Sequence, residues 1–229
     1  MSKAAPLIVF DLDGTLAETA GDLVATLNFI LTREGMNPVS EIEARRMVGT
    51  GARQLIRLGF ERSGASVAAD RLETLFTDFL AHYEAHVAVH SHLYPGVAEA
   101  LDRFEAAGFA FAVCTNKIER PSVKLLTELG VAERFRAICG QDTFAWWKPD
   151  PRALLSTIDR AGGDPARTVM VGDSRTDIDT AKAARVPVVA VDFGYTDTPV
   201  SQLGPDHIIS HFDELWDAVE RLSPALARG

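Results

Sequence analysis

Cysteine is nearly missing from this chain: Cys114 and Cys139 are the two in 229 residues. Both sit in apolar runs, which excludes a disulfide framework and fits reduced, buried thiols. Cys114 precedes the polar pair Thr115-Asn116, but its apolar flank argues against a catalytic thiol. Positive charge is also short. Lys and Arg number 23 against 32 Asp and Glu, a net charge of -9, and no long basic run occurs. A non-specific nucleic-acid binder needs clustered Lys and Arg to neutralise phosphates, so nucleic acid is excluded as a partner. Long hydrophobic runs are lacking as well. Met1 to Pro6 carries one lysine and leads into an apolar run far too short for a signal peptide or a membrane span. The expectation is a cytoplasmic protein without a membrane partner, monomeric or homodimeric.

What is present is a hydrophobic content of 47%, enough for a substantial core in one large domain or two modest ones. The first apolar run, Leu7-Ile8-Val9-Phe10, reads as a strand that delivers Asp11-Leu12-Asp13-Gly14-Thr15 to its end. Two carboxylates one residue apart repel each other unless positive charge offsets them. A hard divalent cation with oxygen ligands answers that need, and Mg2+ favours one or two carboxylates plus substrate phosphate.

The chain then becomes helical. Leu23, Leu27, Ile30 and Leu31 mark one helical face that Gly35 ends, and Ser40 with Glu43 makes a capping-box pattern opening a second helix. A third helix follows Gly51 to about Arg62, and Leu72, Leu75, Phe76, Phe79, Leu80 and Tyr83 form a long amphipathic stripe. No strand signal interrupts residues 17–93, which read as a small helical bundle. From Val97 onward helices alternate with apolar strands at 109–114, 137–139, 168–171 and 188–191, with a short candidate at 207–209 before a last helix. Such runs indicate an α/β fold, a doubly wound and mostly parallel sheet. The domain reading is a Rossmann-like catalytic core of residues 1–16 and 94–229, with an all-helical cap domain of residues 17–93 inserted in it.

In open parallel sheets ligands bind beyond the carboxyl ends of the strands, so polar residues there are brought together. The first strand yields Asp11 and Asp13, the next Thr115 and Asn116, and the fourth Asp173, Ser174 and Asp177. Lys148-Pro149-Asp150-Pro151 lies between the third strand and its helix. Several carboxylates for a metal, with Lys148 and Thr115 to offset phosphoryl charge, fit phosphoryl transfer.

Asp11-Leu12-Asp13-Gly14-Thr15, Thr115-Asn116, Lys148-Pro149 and Gly172-Asp173-Ser174-Arg175-Thr176-Asp177, in that order, resemble the four motifs of the haloacid dehalogenase superfamily. Val48-Gly49-Thr50-Gly51-Ala52, Leu93-Tyr94-Pro95-Gly96-Val97 and Gly140-Gln141-Asp142-Thr143-Phe144 further resemble its bacterial phosphoglycolate phosphatases. The resemblance implies Asp11 as nucleophile through an aspartyl-phosphate, and Asp13 as general acid and then base. It implies Mg2+ held by the Asp11 side chain, the Asp13 carbonyl and Asp173, with Asp177 orienting the site or reaching the metal through water. Thr115, Lys148 and backbone N-H groups near Gly14 and Asn116 would hold the phosphoryl oxygens. The implied activity is a phosphomonoesterase acting on a small phosphorylated metabolite, 2-phosphoglycolate first.

Relatives with other chemistry are separated by single residues. Haloacid dehalogenases lack the second aspartate, and phosphonatases use a cap lysine, whereas residues 17–93 contain no lysine. A sugar-phosphate or pyrophosphate phosphatase, a phosphosugar mutase and a non-enzymatic phosphoryl-accepting switch stay open. The inserted cap favours an enzyme, since a lid excludes water while a switch needs an exposed face. Substrate choice belongs to the cap, where Arg53 or the backbone around Thr50 is the candidate reader of a substrate carboxylate. Gly49-Thr50-Gly51 lacks the preceding strand of a nucleotide loop and reads as a cap turn. His82, His86, His90 and His92 have partial zinc-ligand spacing, but a solvated linker is the better reading of residues 85–91. Trp146 and Trp147 read as packing against the body.

Overall fold

The computed structural model describes residues 4–40, 48, 51–196 and 198–222. The chain opens with β1 (Leu7–Phe10), whose four residues are all buried. A two-residue strand β2 (Ala17–Glu18) leads into helices α1 (Ala20–Arg33), α2 (Ala52–Arg62) and α3 (Ala69–Ala85), and β3 (His92–Leu93) brings the chain back. Then α4 (Val97–Ala106), β4 (Ala110–Cys114), α5 (Glu119–Glu128), β5 (Phe135–Cys139) and α6 (Pro151–Arg160) follow. The remainder is β6 (Thr168–Gly172), α7 (Arg175–Ala184), β7 (Val188–Val191), β8 (His207–Ile209) and α8 (Leu215–Leu222). No helix among the described residues is long and apolar enough to cross a membrane.

Six strands form one sheet in the order β5-β4-β1-β6-β7-β8, every pair parallel. The chain winds outward from β1 to β4 and β5 on one side, then crosses back to β6 on the other. β1 therefore stands where the winding direction reverses, the place at which open α/β sheets leave a crevice beyond their carboxyl ends.

The apolar strands segregate their side chains by simple alternation. Ile8, Phe10, Phe111, Val113, Val169 and Val171 face one side, against α4 and α8 and in one continuous core with the helical insert. Leu7, Val9, Ala110, Ala112 and Met170 face the other, against α6 and α7. The first face is filled by aromatic rings: Phe10 meets Phe111 at 6.0 Å and Phe135 at 6.4 Å, both edge-on. The second has alanines along β4 and β5, Ala110, Ala112 and Ala137, beside the larger Leu7, Val9 and Met170.

Two expectations change. The insert is bounded by a ribbon in which Ala17 pairs with Leu93 and Glu18 with His92, antiparallel. Two residues per strand are too few to leave a period-2 signal, which is why no strand was expected in residues 17–93. Residues 85–91 are also more than a solvated linker. The buried carboxylate of Asp22 in α1 accepts bonds from the backbone N-H groups of His90 and Ser91 and from the Ser91 hydroxyl, at 2.6 to 3.1 Å. The helix expected to open at Ser40, with Glu43 in its cap, lies outside the described residues.

Phe111 is fully buried at the centre of the aromatic face. Phe111→Ala is expected to lower the unfolding free energy by about 3–5 kcal/mol, measured by urea denaturation with an unchanged m-value.

Candidate active site

Beyond the carboxyl ends of β1, β4 and β6 lies a cavity of about 430 Å3. Asp11, Asp13, Thr115, Asn116, Lys117 and Asp173 reach it from the sheet, and Arg53, Gln54, Arg57, Phe76, Phe79 and Tyr83 from the insert. Asp11 continues β1 directly: its N-H donates to the Val171 carbonyl at 2.9 Å, so the carboxylate leaves the sheet beside β6. Leu12 then closes a tight turn by accepting from Leu16 and Ala17 at 3.0 and 3.1 Å. This turn returns the chain so that Asp13 faces the same space as Asp11.

Asp173 follows β6 and is wrapped by two glycines. Gly14 has a φ of +82°, and a Cβ there would come within 2.4 Å of an Asp173 oxygen; one at Gly194 would come within 2.3 Å. Glycine is needed at both, at the first for conformation and at the second for close approach. The Asp173 carboxylate accepts from the Tyr195 N-H at 2.6 Å and the Thr15 hydroxyl at 3.4 Å.

Asp177 sits in the first turn of α7, where Ser174 and Asp177 form a reciprocal capping box. One of its oxygens accepts the N-H groups of Asp173 and Ser174 and the Ser174 hydroxyl, at 3.2, 3.1 and 2.6 Å. The other accepts Lys148 Nζ at 2.5 Å. Lys148 is 3% exposed and lies 3.0 Å from Asp11 Oδ1, an oxygen that otherwise has no hydrogen-bond partner. Burial pulls the Lys148 pKa down, but Asp11 and Asp177 outweigh it and hold the ammonium above its usual range. The Lys148-Pro149 peptide bond is cis, and the Lys148 carbonyl accepts from Asn116 Nδ2 at 2.9 Å.

The carboxylate oxygens of Asp11, Asp173 and Asp177 lie within 4.8 Å of one another, all buried. Burial, partly opposed by Lys148, pushes the Asp11 carboxyl up to about 6. Burial, then Asp177 and Asp11, raises Asp173 well above the carboxylate range. When all three are ionised, three carboxylates against one ammonium leave a surplus of two negative charges on an all-oxygen donor set, which fits a small hard dication. Among the described residues this is the group suited to hold a metal; the histidines are not. The rings of His82 and His86 stack at 4.3 Å, and His82 stacks on Phe29 at 4.0 Å.

Four of the residues expected at the site, Asp11, Asp13, Thr115 and Asp173, line the cavity together, with Lys148 and Asp177 bonded to each other beneath its floor. Asn116 lines it too, but its side-chain amide braces the Lys148 loop. Arg53 reaches the cavity while its guanidinium is paired with Glu73 through two bonds of 2.8 Å and lies 3.6 Å from the Phe76 ring centroid. Thr50 lies outside the described residues. Trp146 packs away from the cavity, donating to Ser156 at 3.2 Å under the Arg152 guanidinium. Burial pushes the Cys114 thiol up to about 11, so it stays protonated.

Sequence reasoning missed Lys117. Its Nζ lies 3.0 and 3.1 Å from the two Asp13 oxygens and 4.3 Å from the Tyr83 ring centroid of α3. It directly follows Thr115-Asn116, so the strand-end rule already covered its position. Asp13 also accepts from the Thr19 hydroxyl at 2.7 Å.

A model of the haloacid dehalogenase-like hydrolases matches residues 8–191. The chain belongs to this family. It is 51% identical over 218 residues to a phosphoglycolate phosphatase of Mesorhizobium japonicum, covering 95% of this chain and 96% of that one. An N-acetylmuramic acid 6-phosphate phosphatase of Pseudomonas aeruginosa is 36% identical over 93% and 94% of the two chains. The crystal structure of a predicted phosphoglycolate phosphatase from Haemophilus somnus superposes with a TM-score of 0.87 at 29% identity, over 94% and 98% of the chains. Family membership agrees with the six-stranded parallel sheet and the helical insertion seen here.

A carboxyl whose folded pKa exceeds its unfolded value supports folding below the unfolded value and loses that support as pH rises through the folded one. For Asp11 that window runs from 3.8 to about 6. The metal-free protein is therefore expected to carry the Asp11 share of the penalty in full at pH 7.5, and a saturating hard dication to raise its Tm more at pH 7.5 than at pH 5. Calorimetric scans at both pH values, with and without Mg2+, check this.

Proposed function

We propose that this family member is a Mg2+-dependent phosphomonoesterase that hydrolyses 2-phosphoglycolate to glycolate and phosphate. The reaction reading is carried by one observation: Asp11 and Asp13, Thr115, and Asp173, from three separate segments, line a single covered cavity. The substrate reading is supported by the relatives named phosphoglycolate phosphatase, among them one at 51% identity.

In this reading the Asp11 carboxylate attacks phosphorus. The bond from phosphorus to the glycolate oxygen breaks, and Asp13 gives its proton to the departing alkoxide. Water then attacks the aspartyl-phosphate, Asp13 takes the proton from that water, and phosphate leaves with Asp11 restored. Lys148 holds the Asp11 carboxylate in place, Thr115 donates to the phosphoryl group, and Lys117 with Thr19 keeps Asp13 directed into the cavity. Asp11, Asp173 and the Asp13 carbonyl would hold Mg2+, with Asp177 bracing them through Lys148 and the Asp173 N-H. The cation supplies charge neutralisation at the phosphoryl oxygens. Residues 17–93 act as the cap, and the wall carrying Arg53 meets the substrate carboxylate, Arg53 exchanging Glu73 for it.

A second substrate reading has its own support. The cavity of about 430 Å3 is roomy for so small an acid and suits a phosphorylated sugar, as the name of the Pseudomonas relative describes for that protein.

Phosphate release measured across phosphoglycolate, sugar phosphates, N-acetylmuramic acid 6-phosphate and pyrophosphate decides the substrate. Phosphoglycolate is expected to have the highest kcat/KM; no turnover of any ester with Mg2+ present would overturn the phosphatase reading. Asp11→Asn is expected to lower kcat by about a thousandfold or more, and substantial residual turnover would remove Asp11 as nucleophile. Arg53→Ala is expected to reduce selectivity for phosphoglycolate over carboxylate-free esters by about tenfold, read as the ratio of their kcat/KM values.

A further inference from the structure

Tyr195 follows β7, outside every motif used above, and is buried with its two ends on different parts of the molecule. Its backbone N-H donates to Asp173 at 2.6 Å. Its phenol oxygen, across the cavity edge, accepts the N-H groups of Thr19 and Ala20 at 2.6 and 3.0 Å and donates to Glu18. Those three residues join β2 to α1, where the chain enters the insert.

The local reason is a missing cap. Thr19 is the N-cap residue of α1, but its hydroxyl makes no capping bond to the helix. That hydroxyl is spent on Asp13, at 2.7 Å. A helix start leaves N-H groups without partners inside the helix, and here a phenol from a distant loop accepts the first of them. Thr19 thus has its N-H on Tyr195 and its hydroxyl on Asp13. Glu18 is held from its other oxygen by the Tyr94 hydroxyl at 3.2 Å, on the returning side of the ribbon.

We propose that Tyr195 is a positioning residue that ties the acidic floor at Asp173 to the junction of the insert and, through Thr19, sets the direction of the Asp13 carboxylate. This rests on the phosphatase reading, in which Asp13 protonates the leaving group. Ordering Asp173 orders the Tyr195 loop, which fixes the Thr19 amide and, with it, the hydroxyl that holds Asp13. A proton donor matters most when the leaving group is a poor one, so misdirecting Asp13 penalises alkyl esters more than aryl esters.

The test uses the full chain and Tyr195→Phe, which retains the ring and the backbone N-H to Asp173. The variant is expected to lose about tenfold in kcat on phosphoglycolate but less than about threefold on p-nitrophenyl phosphate. Equal losses on the two esters, or none, would overturn the role. Amide hydrogen exchange gives a readout without turnover. In the wild type, Mg2+ is expected to slow exchange at Thr19; in Tyr195→Phe, Thr19 exchanges about tenfold faster and no longer responds to Mg2+. A wild-type Thr19 amide indifferent to Mg2+ that calorimetry shows to be bound would overturn the link, whatever the variant does. Wild-type protein inactive on every ester is a different result, and it removes the phosphatase reading on which the proposal stands.

Discussion

The structure depends on one buried ammonium. Lys148 lies between Asp11 and Asp177, at 3.0 and 2.5 Å, in a region where burial alone raises the pKa of the neighbouring carboxyls. A folded protein accepts so many acidic groups at the ends of its central strands only if each has a partner, since an unpaired buried charge costs several kcal/mol. Asp177 is matched fully, by Lys148 and by the capping box of α7. Asp11 and Asp173 are matched in part, and that incompleteness is the chemical opportunity: a remaining negative surplus faces the cavity and suits a dication and a phosphate together.

Sheet topology explains why these groups meet. β1 is central, and the chain leaves it in one direction and returns on its other side. Its two neighbours, β4 and β6, end where β1 ends, so Thr115 and Asp173 arrive beside Asp11 though more than fifty residues separate them in sequence. The aromatic face beneath, with Phe10, Phe111 and Phe135 in mutual contact, holds those ends rigidly. Placement of Asp11, Thr115 and Asp173 is therefore a property of the sheet and its packing, while Lys148 is brought in by the loop after β5 and braced there by Asn116.

The helical insert closes the cavity and also reaches into its chemistry. Tyr83 of α3 covers Lys117, Lys117 pairs with Asp13, and Thr19 at the start of α1 bonds the same carboxylate. Asp13 is thus held by Lys117 from the loop after β4 and by Thr19 from the junction of the insert, with the Tyr83 ring of the insert against Lys117. The arrangement links the placement of the insert to the orientation of Asp13 through two hydrogen-bonded contacts.

Much of this is legible in the sequence, and for definite reasons. Apolar runs alternating with helical periodicity specify a parallel sheet, and strand-end placement then groups Asp11, Asp13, Thr115, Lys148 and Asp173 without reference to distance. Other features were invisible to periodicity. The β2–β3 ribbon is too short, Lys117 is one lysine in a polar loop, and Tyr195 is an aromatic residue whose bonds to Asp173, Glu18, Thr19 and Ala20 span more than twenty residues. By itself the sequence determined the winding of the sheet and the order of the acidic strand ends, because both follow from local patterns of burial and turn. Only the tertiary structure decided which cation answers which carboxylate, Lys148 to Asp11 and Asp177 and Lys117 to Asp13, because pairing is set by separations in space that no local pattern encodes.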